Sequence, residues 1–422
     1  MRKIFLSSAI CFFLYQTVFS QIKILFDATK AETAANADWV IDADVHNMGW
    51  GSTGGYTCSC ASNESNAQRL PTPTQTVITS STPETYWDGC LSHWAIDCVN
   101  KGYWVETLPF GTALTYGNSS NAQDLSNYNI FIVDEPNVLF TSAEKIALMN
   151  FVQNGGSLLM ISDHTVSDRN GDGFDSPAIW NDFITNNGVS NNGFGFIYEL
   201  QNFSDASTNS NVSIAATDSI TKGSYGTVTQ VKWSNGTCMT MNPSQNPNVK
   251  GHVWKSGKGQ TDTAATVVTT RYGCGKVAAM GDSSPQDDGT GDPNDNSLYN
   301  GYIVDAAGNH QKLLMNMVIW LAQEDCNTSI NNSTEENNAA LVYPNPAYNT
   351  ATVICTNTSS AKTVLTVINM SGQQIEVSQK QNKDGVNEQF ILNTSSLPAG
   401  VYYCKIIIAE KTITRKLIIS KS

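Results

Sequence analysis

The chain has 422 residues and is acidic, with 24 Lys and Arg against 37 Asp and Glu and a formal net charge of −13 at pH 7. This length predicts two or three domains. Because the long-range field of such a chain repels phosphate, its charge argues against nucleic acid and anionic surfaces as partners and favours cations and neutral substrates.

Residues 1–20 predict a secretory signal peptide. Arg2 and Lys3 form a basic start, an apolar run extends from Ile4 to Tyr15, and Ser20 precedes the expected cleavage point. No other apolar run approaches the roughly 20 residues that a membrane-spanning helix needs. We therefore expect an exported protein without a transmembrane segment.

Residues 21–323 predict an alternating α/β domain. Five apolar runs predict buried strands, at Ile22–Phe26, Trp104–Leu108, Ile130–Val133, Ser157–Ile161 and Val277–Met280. Helices are predicted at Asp88–Asn100, after the capping pair Thr141 and Glu144, and at Gln311–Ala322. This alternation favours a doubly wound, mostly parallel, flavodoxin-like sheet. The looser pattern from Ser190 to Val268 predicts a β-rich insertion that covers one edge of the sheet.

Acidic residues follow four of the predicted strands. Ligands of an open parallel sheet bind beyond the carboxyl ends of its strands, and mutual repulsion raises the pKa of clustered acids. We therefore predict a catalytic group in which His164 or Asp163 is the general acid or base, with the members Asp27, Glu135, Asp163, His164 and Asp282. The alternative is that each Asp caps the helix that follows it.

A calcium-type loop follows the fourth strand. Its pattern D-x-N-x-D-G-x-D places oxygen ligands at Asp168, Asn170, Asp172 and Asp175, and Gly173 allows the tight turn. The bidentate Glu that an EF-hand has at position 12 is absent, so we predict a calcium loop without an EF-hand domain. The alternative is a polar turn whose side chains cap backbone N–H groups.

Two further segments suggest ligand binding. Asp287, Asp288, Asp292 and Asp295 form an acidic loop that could supply more calcium ligands or act as a mobile lid, and the alternative is a solvated loop. Trp39 and Trp50 lie near Asp38 and His46, as in a sugar-binding cleft, although core packing of both rings is the alternative. Ser283 and Ser284 follow a strand without a G-x-S-x-G motif, which disfavours a serine-hydrolase triad.

Nine cysteines remain once the signal peptide is removed, and we expect disulfides rather than metal thiolates. Cys355 and Cys404 lie in two strand-like runs and are a plausible pair. Because nine is odd, at least one thiol must be free or paired between chains.

Residues 324–340 are polar, Asn-rich and aperiodic, and predict a linker. Residues 341–422 alternate strands and turns, which predicts a small all-β sandwich. The runs VYPNPA, INMSGQ, LPAGVYY and RKLII resemble the type A sorting domain of the type IX secretion system. This resemblance implies export across the outer membrane and the type IX machinery as a partner. The alternative is an unrelated carbohydrate-binding sandwich.

The middle domain has a second resemblance. Its segments NYNIFIVDEPN, FTSAEKIALMNFVQNGGSLLMISDH and GCGKVAAMGDSS are similar to the trehalose-utilisation (ThuA-like) branch of the class I glutamine amidotransferase-like fold. Ser162, Asp163 and His164 stand where amidotransferases carry a nucleophilic Cys, so this chain lacks the residue for glutaminase chemistry. The resemblance implies a fold and no particular reaction.

These observations predict a secreted hydrolase acting on an extracellular polymer, of the glycan or glycoconjugate class, with calcium ordering the loop beside its site. The alternative is a non-catalytic glycan-binding or adhesion protein that uses the same cleft. The charged cluster at the sheet edge favours the enzyme, because a binding face more often displays exposed aromatic and amide groups.

Overall fold

The computed structural model describes residues 21–34, 37–42, 67–205, 211–291, 299–306, 308–323, 340–357, 361–369, 373–409 and 411–421. The chain divides into two compact units between Cys326 and Asn327, within the predicted linker. No helix among these residues is long and apolar enough to cross a membrane.

Fourteen strands of the first unit lie in the described residues. In chain order they are β1 (Lys23–Asp27), β2 (Thr33–Ala34), β3 (Ala37–Asp38), β4 (Trp104–Leu108), β5 (Ile130–Asp134), β6 (Ser157–Ile161), β7 (Phe196–Asp205), β8 (Asn211–Val212), β9 (Lys222–Gly223), β10 (Gly226–Thr227), β11 (Trp233–Met241), β12 (Lys250–Trp254), β13 (Ala265–Tyr272) and β14 (Gly275–Met280). The α-helices are α1 (Ser92–Asn100), α2 (Ser142–Gln153), α3 (Ser176–Thr185) and α4 (His310–Ala322). Single 3₁₀ turns lie at Gln75–Val77, Glu84–Tyr86, Leu125–Asn127 and Ser284–Gln286.

The first unit is built on a ten-stranded mixed sheet. Its parallel half has the order β4-β1-β5-β6-β14, in which the direction of the connections reverses between β1 and β5. Its other half, β13, β11, β7, β12 and β8, is antiparallel. The expectation of a doubly wound, mostly parallel sheet is therefore met only in part: five strands are parallel, and the predicted β-rich segment extends the β14 edge with antiparallel strands.

The antiparallel half begins at a tight hairpin. Tyr272 pairs with Gly275, so only two residues join β13 to β14, and a connection this short can only link antiparallel strands. Gly273 has a φ of 57°, in the left-handed region that such a turn requires.

Helices cover both faces of the parallel half. Ile24 and Phe26 of β1 pack in one core with residues of α1 and α4, whereas Leu25 packs in a second core with residues of α2 and α3. This alternation is the two-faced burial expected of a strand between helix layers. Helix α2 begins with the predicted capping box, in which Thr141 and Glu144 each accept from the other's backbone N–H.

The second unit is a β-sandwich. Its strands are β15 (Ala340–Tyr343), β16 (Thr350–Thr356), β17 (Thr363–Asn369), β18 (Gln374–Ile375), β19 (Gln379–Asp384), β20 (Asn387–Asn393), β21 (Gly400–Ile408) and β22 (Lys411–Ile419). They form two four-stranded sheets, with the orders β15-β16-β20-β19 and β18-β17-β21-β22. Apolar side chains from both sheets share one core, as the alternating pattern predicts.

The expected disulfide between Cys355 and Cys404 is not formed. Cys355 lies on β16 and Cys404 on β21, in different sheets of the sandwich, and both are free thiols in its core. Burial raises the pKa of Cys404 to about 12, so this thiol stays protonated and unreactive. In the first unit Cys274, directly before β14, is disulfide-bonded.

Candidate active site

The candidate site lies beyond the carboxyl ends of β5, β6 and β14, next to the point where the strand connections reverse. Glu135 follows β5, Asp163 follows β6, and Asp282 and Ser283 follow β14. Because these strands are parallel neighbours, their following residues meet at one edge of the sheet. The structure therefore brings together Glu135, Asp163 and Asp282, which the sequence argument from strand ends had grouped.

Glu135 is the centre of the group. Its carboxylate is fully buried and accepts hydrogen bonds from Trp39 Nε1 at 2.8 Å, Ser283 Oγ at 2.7 Å and the Arg169 guanidinium. Its backbone has a φ of 44°, in the left-handed region that non-glycine residues seldom occupy. Contacts from three separate segments thus hold one carboxylate in a fixed orientation.

Arg169 joins two of the predicted acids. Its Nη2 atom lies 3.2 Å from Glu135 Oε1 and 3.2 Å from Asp163 Oδ2, and its Nε atom also donates to Glu135. Its side chain is 19% exposed, whereas those of Glu135 and Asp163 are 0% and 5% exposed. The guanidinium therefore separates two buried carboxylates from solvent and offsets their mutual repulsion.

His164 lies on the solvent side of Asp163. Its Nδ1 atom is 2.5 Å from the Thr165 carbonyl oxygen, and because a carbonyl only accepts, Nδ1 carries a proton. The Nε2 atom lies 3.4 Å from Asp163 Oδ2, and the side chain is 20% exposed. The Nε2 atom of His164 can therefore exchange a proton with Asp163.

Two acids of this group have raised pKa values. Burial raises the pKa of Asp163 well above its usual range, the charges of Glu135 and Asp282 add to the increase, and Arg169 opposes it. Burial raises the pKa of Asp282 to about 6, although the backbone amides of Ser284 and Ser234 donate to its carboxylate. Carboxyl groups that keep a proton near neutral pH are suited to general acid catalysis.

Asp27, the fifth predicted catalytic residue, makes a separate pair. It is hydrogen-bonded to the buried Glu32, and burial is the main cause of the raised pKa of both groups. Apart from the contact within the pair, Asp27 Oδ2 and Glu32 Oε1 accept no hydrogen bond from the residues that the structure describes. A proton held on Glu32 supplies a donor to this pair, and the charge of Lys30 favours the ionised form of Asp27.

Asp134 is buried between Glu135 and a side-chain amide. Gln286 Nε2 donates to Asp134 Oδ2 at 2.5 Å. Burial raises the pKa of Asp134 well above its usual range, and the hydrogen bond from Gln286 lowers it. We assign it a structural role, because its contact is to a buried amide.

The predicted calcium ligands are bonded mainly within their own loop. Asp168 accepts from the backbone amides of Gly171, Asp172 and Gly173, and Asp172 accepts from that of Phe174. Asn170 donates to the Asn137 carbonyl and to Asp172, and Asp175 is the N-cap of α3. These contacts match the polar turn that the sequence left as an alternative.

A metal ion does not fit this arrangement as it stands. Within the described ranges, no group of three or more His, Cys, Asp and Glu side chains is placed to hold one. We therefore route no catalytic step through calcium, and calcium binding stays a prediction.

The other two ligand-binding segments are only partly described. Trp39 is 3% exposed and donates to Glu135, so it belongs to the core and is not a platform for stacking sugars. Asp287 and Asp288 are buried and accept backbone N–H groups, including that of His93 in α1, so this part of the acidic loop is neither solvated nor a lid. Asp292, Asp295, His46 and Trp50 lie outside the described residues.

Arg169 and Ser283 were not predicted as catalytic residues, and Trp39 was predicted only as an aromatic ring of a sugar-binding cleft. Arg169 lies inside the calcium-type pattern, which drew attention to its neighbours. Ser283 was set aside because no elbow motif surrounds it, although its position directly after an acid at a strand end is the same signal that identified Asp282. Trp39 reaches the site from another loop, and nothing local in the sequence indicates that.

The comparisons with known proteins concern mainly the second unit. Residues 341–420 match the family model of the secretion system C-terminal sorting domain. This domain indicates export through the periplasm to the cell surface or the extracellular space, as the resemblance predicted. The match covers only this tail, and it is compatible with the type IX secretion machinery as a partner. No curated protein matches the chain.

Solved structures give weaker likenesses. The mmIFT52 N-terminal domain is 12% identical, with 72% of this chain and 98% of that chain covered and a TM-score of 0.41. The Lin-41 filamin domain is 14% identical, with 20% and 94% covered and a TM-score of 0.16. The twitchin kinase region from C. elegans is 12% identical, with 21% and 17% covered and a TM-score of 0.16. Scores this low carry no argument, and the ThuA-like resemblance of residues 21–323 stays a prediction.

Proposed function

We propose that residues 21–323 are a secreted hydrolase that acts on an extracellular polymer of the glycan or glycoconjugate class. The supporting observation is that Arg169 Nη2 contacts Glu135 and Asp163 at 3.2 Å each, beside His164. This arrangement combines a fixed acceptor, a carboxyl with a raised pKa and a partly exposed imidazole, which are the groups that general acid–base hydrolysis needs. The acidic chain favours a neutral, hydroxyl-rich polymer over a polyanion.

The spacing of the two carboxylates limits the chemistry. Glu135 Oε1 and Asp163 Oδ2 lie 3.2 Å from one nitrogen, so they are closer together than the roughly 6.5–9.5 Å of an inverting glycosidase. An attacking water does not fit between them as in that class. The arrangement suits mechanisms that pass through a covalent intermediate.

The test is product release from a panel of polysaccharides, glycoconjugates and peptides by the exported full chain. We expect Glu135→Gln, Asp163→Asn and His164→Asn to stay folded and to lose turnover, by roughly 10²–10⁴-fold for a general acid or base.

Two matched controls are available. Glu106→Gln alters another buried glutamate that accepts from an Arg and a Trp, and His93→Asn alters another histidine with a carboxylate neighbour and 18% exposure. Both should keep full turnover. Hydrolysis of no panel member, or full turnover in all three site variants, would contradict the proposed function.

A further inference from the structure

Ser283 and Glu135 form a nucleophile–base contact that the acid–base argument does not use. Ser283 Oγ lies 2.7 Å from Glu135 Oε2, within the distance at which a carboxylate takes a hydroxyl proton. The same oxygen accepts from Trp39 Nε1 at 2.8 Å, so a third group orients the base. A nucleophile, a base and a residue that orients the base are the parts of a covalent hydrolase.

Ser283 lies at the carboxyl edge of the sheet, where it is 2% exposed. Strand β14 ends at Met280, and a 3₁₀ turn begins at Ser284, so Ser283 lies on a sharp strand-to-helix connection. Glu135 contributes its own constraint, because its left-handed backbone at the end of β5 is strained. The connections after β5 and β14, the two strands on either side of β6, thus hold the carboxylate and the hydroxyl together.

Glu135 is better placed as a base than as a nucleophile. Arg169 occupies its Oε1 atom with two donors, and Trp39 and Ser283 occupy its Oε2 atom. Neither oxygen is open to attack a sugar carbon, as a retaining glycosidase would require. Within the described part of the chain, the Ser283 hydroxyl makes one hydrogen bond, which it donates to Glu135, so the lone pairs of its oxygen are not occupied.

Arg169 supplies the remaining requirement, a donor for developing negative charge. Its Nε and Nη2 atoms bind the carboxylates, while its Nη1 atom makes no hydrogen bond in the part of the chain that the structure describes. Arg169 and His164, at 19% and 20% side-chain exposure, are the partly exposed members of the cluster. An acyl oxygen that enters on this side meets a fixed positive charge.

We propose that Ser283 is the nucleophile and Glu135 its general base, and that the bond cleaved is an ester of an acyl-substituted glycan or glycoconjugate. This inference rests on the proposed function and names its bond. Ser283 Oγ bonds to the acyl carbon, its proton passes to Glu135 Oε2, and the carbonyl electron pair moves to oxygen beside Arg169. The intermediate collapses as the alcohol leaves with the proton from Glu135. Water then hydrolyses the acyl-serine by the same proton path, which restores both residues.

The experiment treats the exported full chain with a fluorophosphonate probe and maps the adduct by mass spectrometry. We expect one phosphonyl group on Ser283, no adduct in Ser283→Ala, and a labelling rate in Glu135→Gln that is lower by roughly 10²-fold or more. Ser157→Ala is the matched control, because Ser157 is a buried serine at the opposite end of β6 whose hydroxyl donates to Leu321. It should label like the wild type.

The variant Ser283→Cys distinguishes a nucleophilic role of Ser283 from a structural one. Ser283→Cys keeps the size and the nucleophile, so it should lose phosphonate labelling and gain reaction with iodoacetamide, with unfolding temperature as the check on folding. Release of acetate from an acetylated polysaccharide should fail in Ser283→Ala.

Two outcomes separate the proposals. Polymer hydrolysis that survives Ser283→Ala, without labelling of Ser283, would overturn the nucleophile and leave the proposed hydrolase standing. The absence of both labelling and hydrolysis would overturn both.

Discussion

Glu135 has an unfavourable backbone conformation and four favourable contacts. A left-handed conformation at a non-glycine residue costs on the order of 1–3 kcal/mol, and its φ is 44°. Full burial makes each contact valuable, because a buried carboxylate that loses a donor keeps its desolvation penalty. We therefore expect the free energy of unfolding to fall when Glu135 loses any one of these donors.

Removal of the indole donor should measure this sensitivity. Trp39→Phe keeps an aromatic ring and deletes the N–H that donates to Glu135. Trp94→Phe deletes a buried indole N–H that has no hydrogen-bond partner among the described residues. We expect Trp39→Phe to lower the free energy of unfolding by about 1–3 kcal/mol more than Trp94→Phe does. Denaturant unfolding measures both, and equal losses would contradict a specific role of the Trp39 hydrogen bond.

A buried acid outside the candidate site should make stability depend on pH. Burial raises the pKa of Asp288 to about 7, even though the amides of His93 and Thr290 donate to it. The folded state therefore binds this proton more tightly than the unfolded chain. Its stabilising effect is complete below about pH 4 and is lost as the pH rises towards 7. Asp288→Asn removes this titrating group. The free energy of unfolding should then decline less steeply with rising pH, by up to about 1.4 kcal/mol for each pH unit.

Asp124 provides a control of opposite sign. Burial raises its pKa, but hydrogen bonds from Ser126, Thr115, Asn118 and Gly117 outweigh burial and lower it to about 2. Its contribution to stability is present above about pH 4 and is lost as the pH falls towards 2. Asp124→Asn should change only this acidic range, and Asp288→Asn only the range from 4 to 7. A decline between pH 4 and 7 that is identical in Asp288→Asn and wild type would contradict the assignment.

Element prediction succeeded where one local rule determined the structure. Strands β4 and β6 have the predicted bounds, and α2 begins directly after its predicted cap at Thr141. Helix α3 was not predicted, because Asp175 was assigned to a calcium loop and is instead the N-cap of that helix. The antiparallel half of the sheet was also underestimated, since a strand's direction depends on its neighbours and not on its own sequence.

The site residues also divide into those with a local signal in the sequence and those without one. The acids were predicted because each follows its own strand, so a local signal locates them. Arg169 and Trp39 come from separate loops and reach Glu135 only after folding. No spacing in the sequence encodes such contacts.

Calcium binding is a prediction at the scale of one loop. Asp168 and Asp172 now accept hydrogen bonds from backbone amides of their own loop, so we expect the binding of an ion to reorganise residues 168–175. Because an ion that binds only the native state stabilises it, we expect the melting temperature to rise with added calcium relative to EDTA.

Two Asp→Asn variants, one inside the loop and one outside it, test this prediction. Asp168→Asn should abolish the rise, and Asp262→Asn, at an exposed acid outside the loop, should not. Identical melting curves for the wild type in calcium and in EDTA would contradict the prediction of calcium binding.

The two-unit organisation predicts that the tail is separable. Residues 327–422 form their own unit with their own core, and residues 341–420 match the sorting domain. Deletion of residues 341–422 should therefore leave the first unit folded and active while export is lost. Thermal unfolding of the truncated protein and fractionation of the culture measure the two effects.

Two results with the truncated chain would contradict this prediction. If residues 21–323 aggregate or lose their cooperative unfolding, the tail contributes to the fold of the first unit. Export that continues without the tail would show that sorting depends on another segment.

The last helix of the first unit ends at the edge of the sheet remote from the candidate site. Ser157, the first residue of β6, donates to Leu321 of α4, and Lys276 at the start of β14 donates to the carbonyls of Trp320 and Gln323. The chain therefore leaves this unit beside the amino ends of the strands, whereas Glu135, Asp163 and Ser283 lie beyond the carboxyl ends. The exit of the chain at Gln323 and the candidate site thus lie at opposite edges of the same sheet.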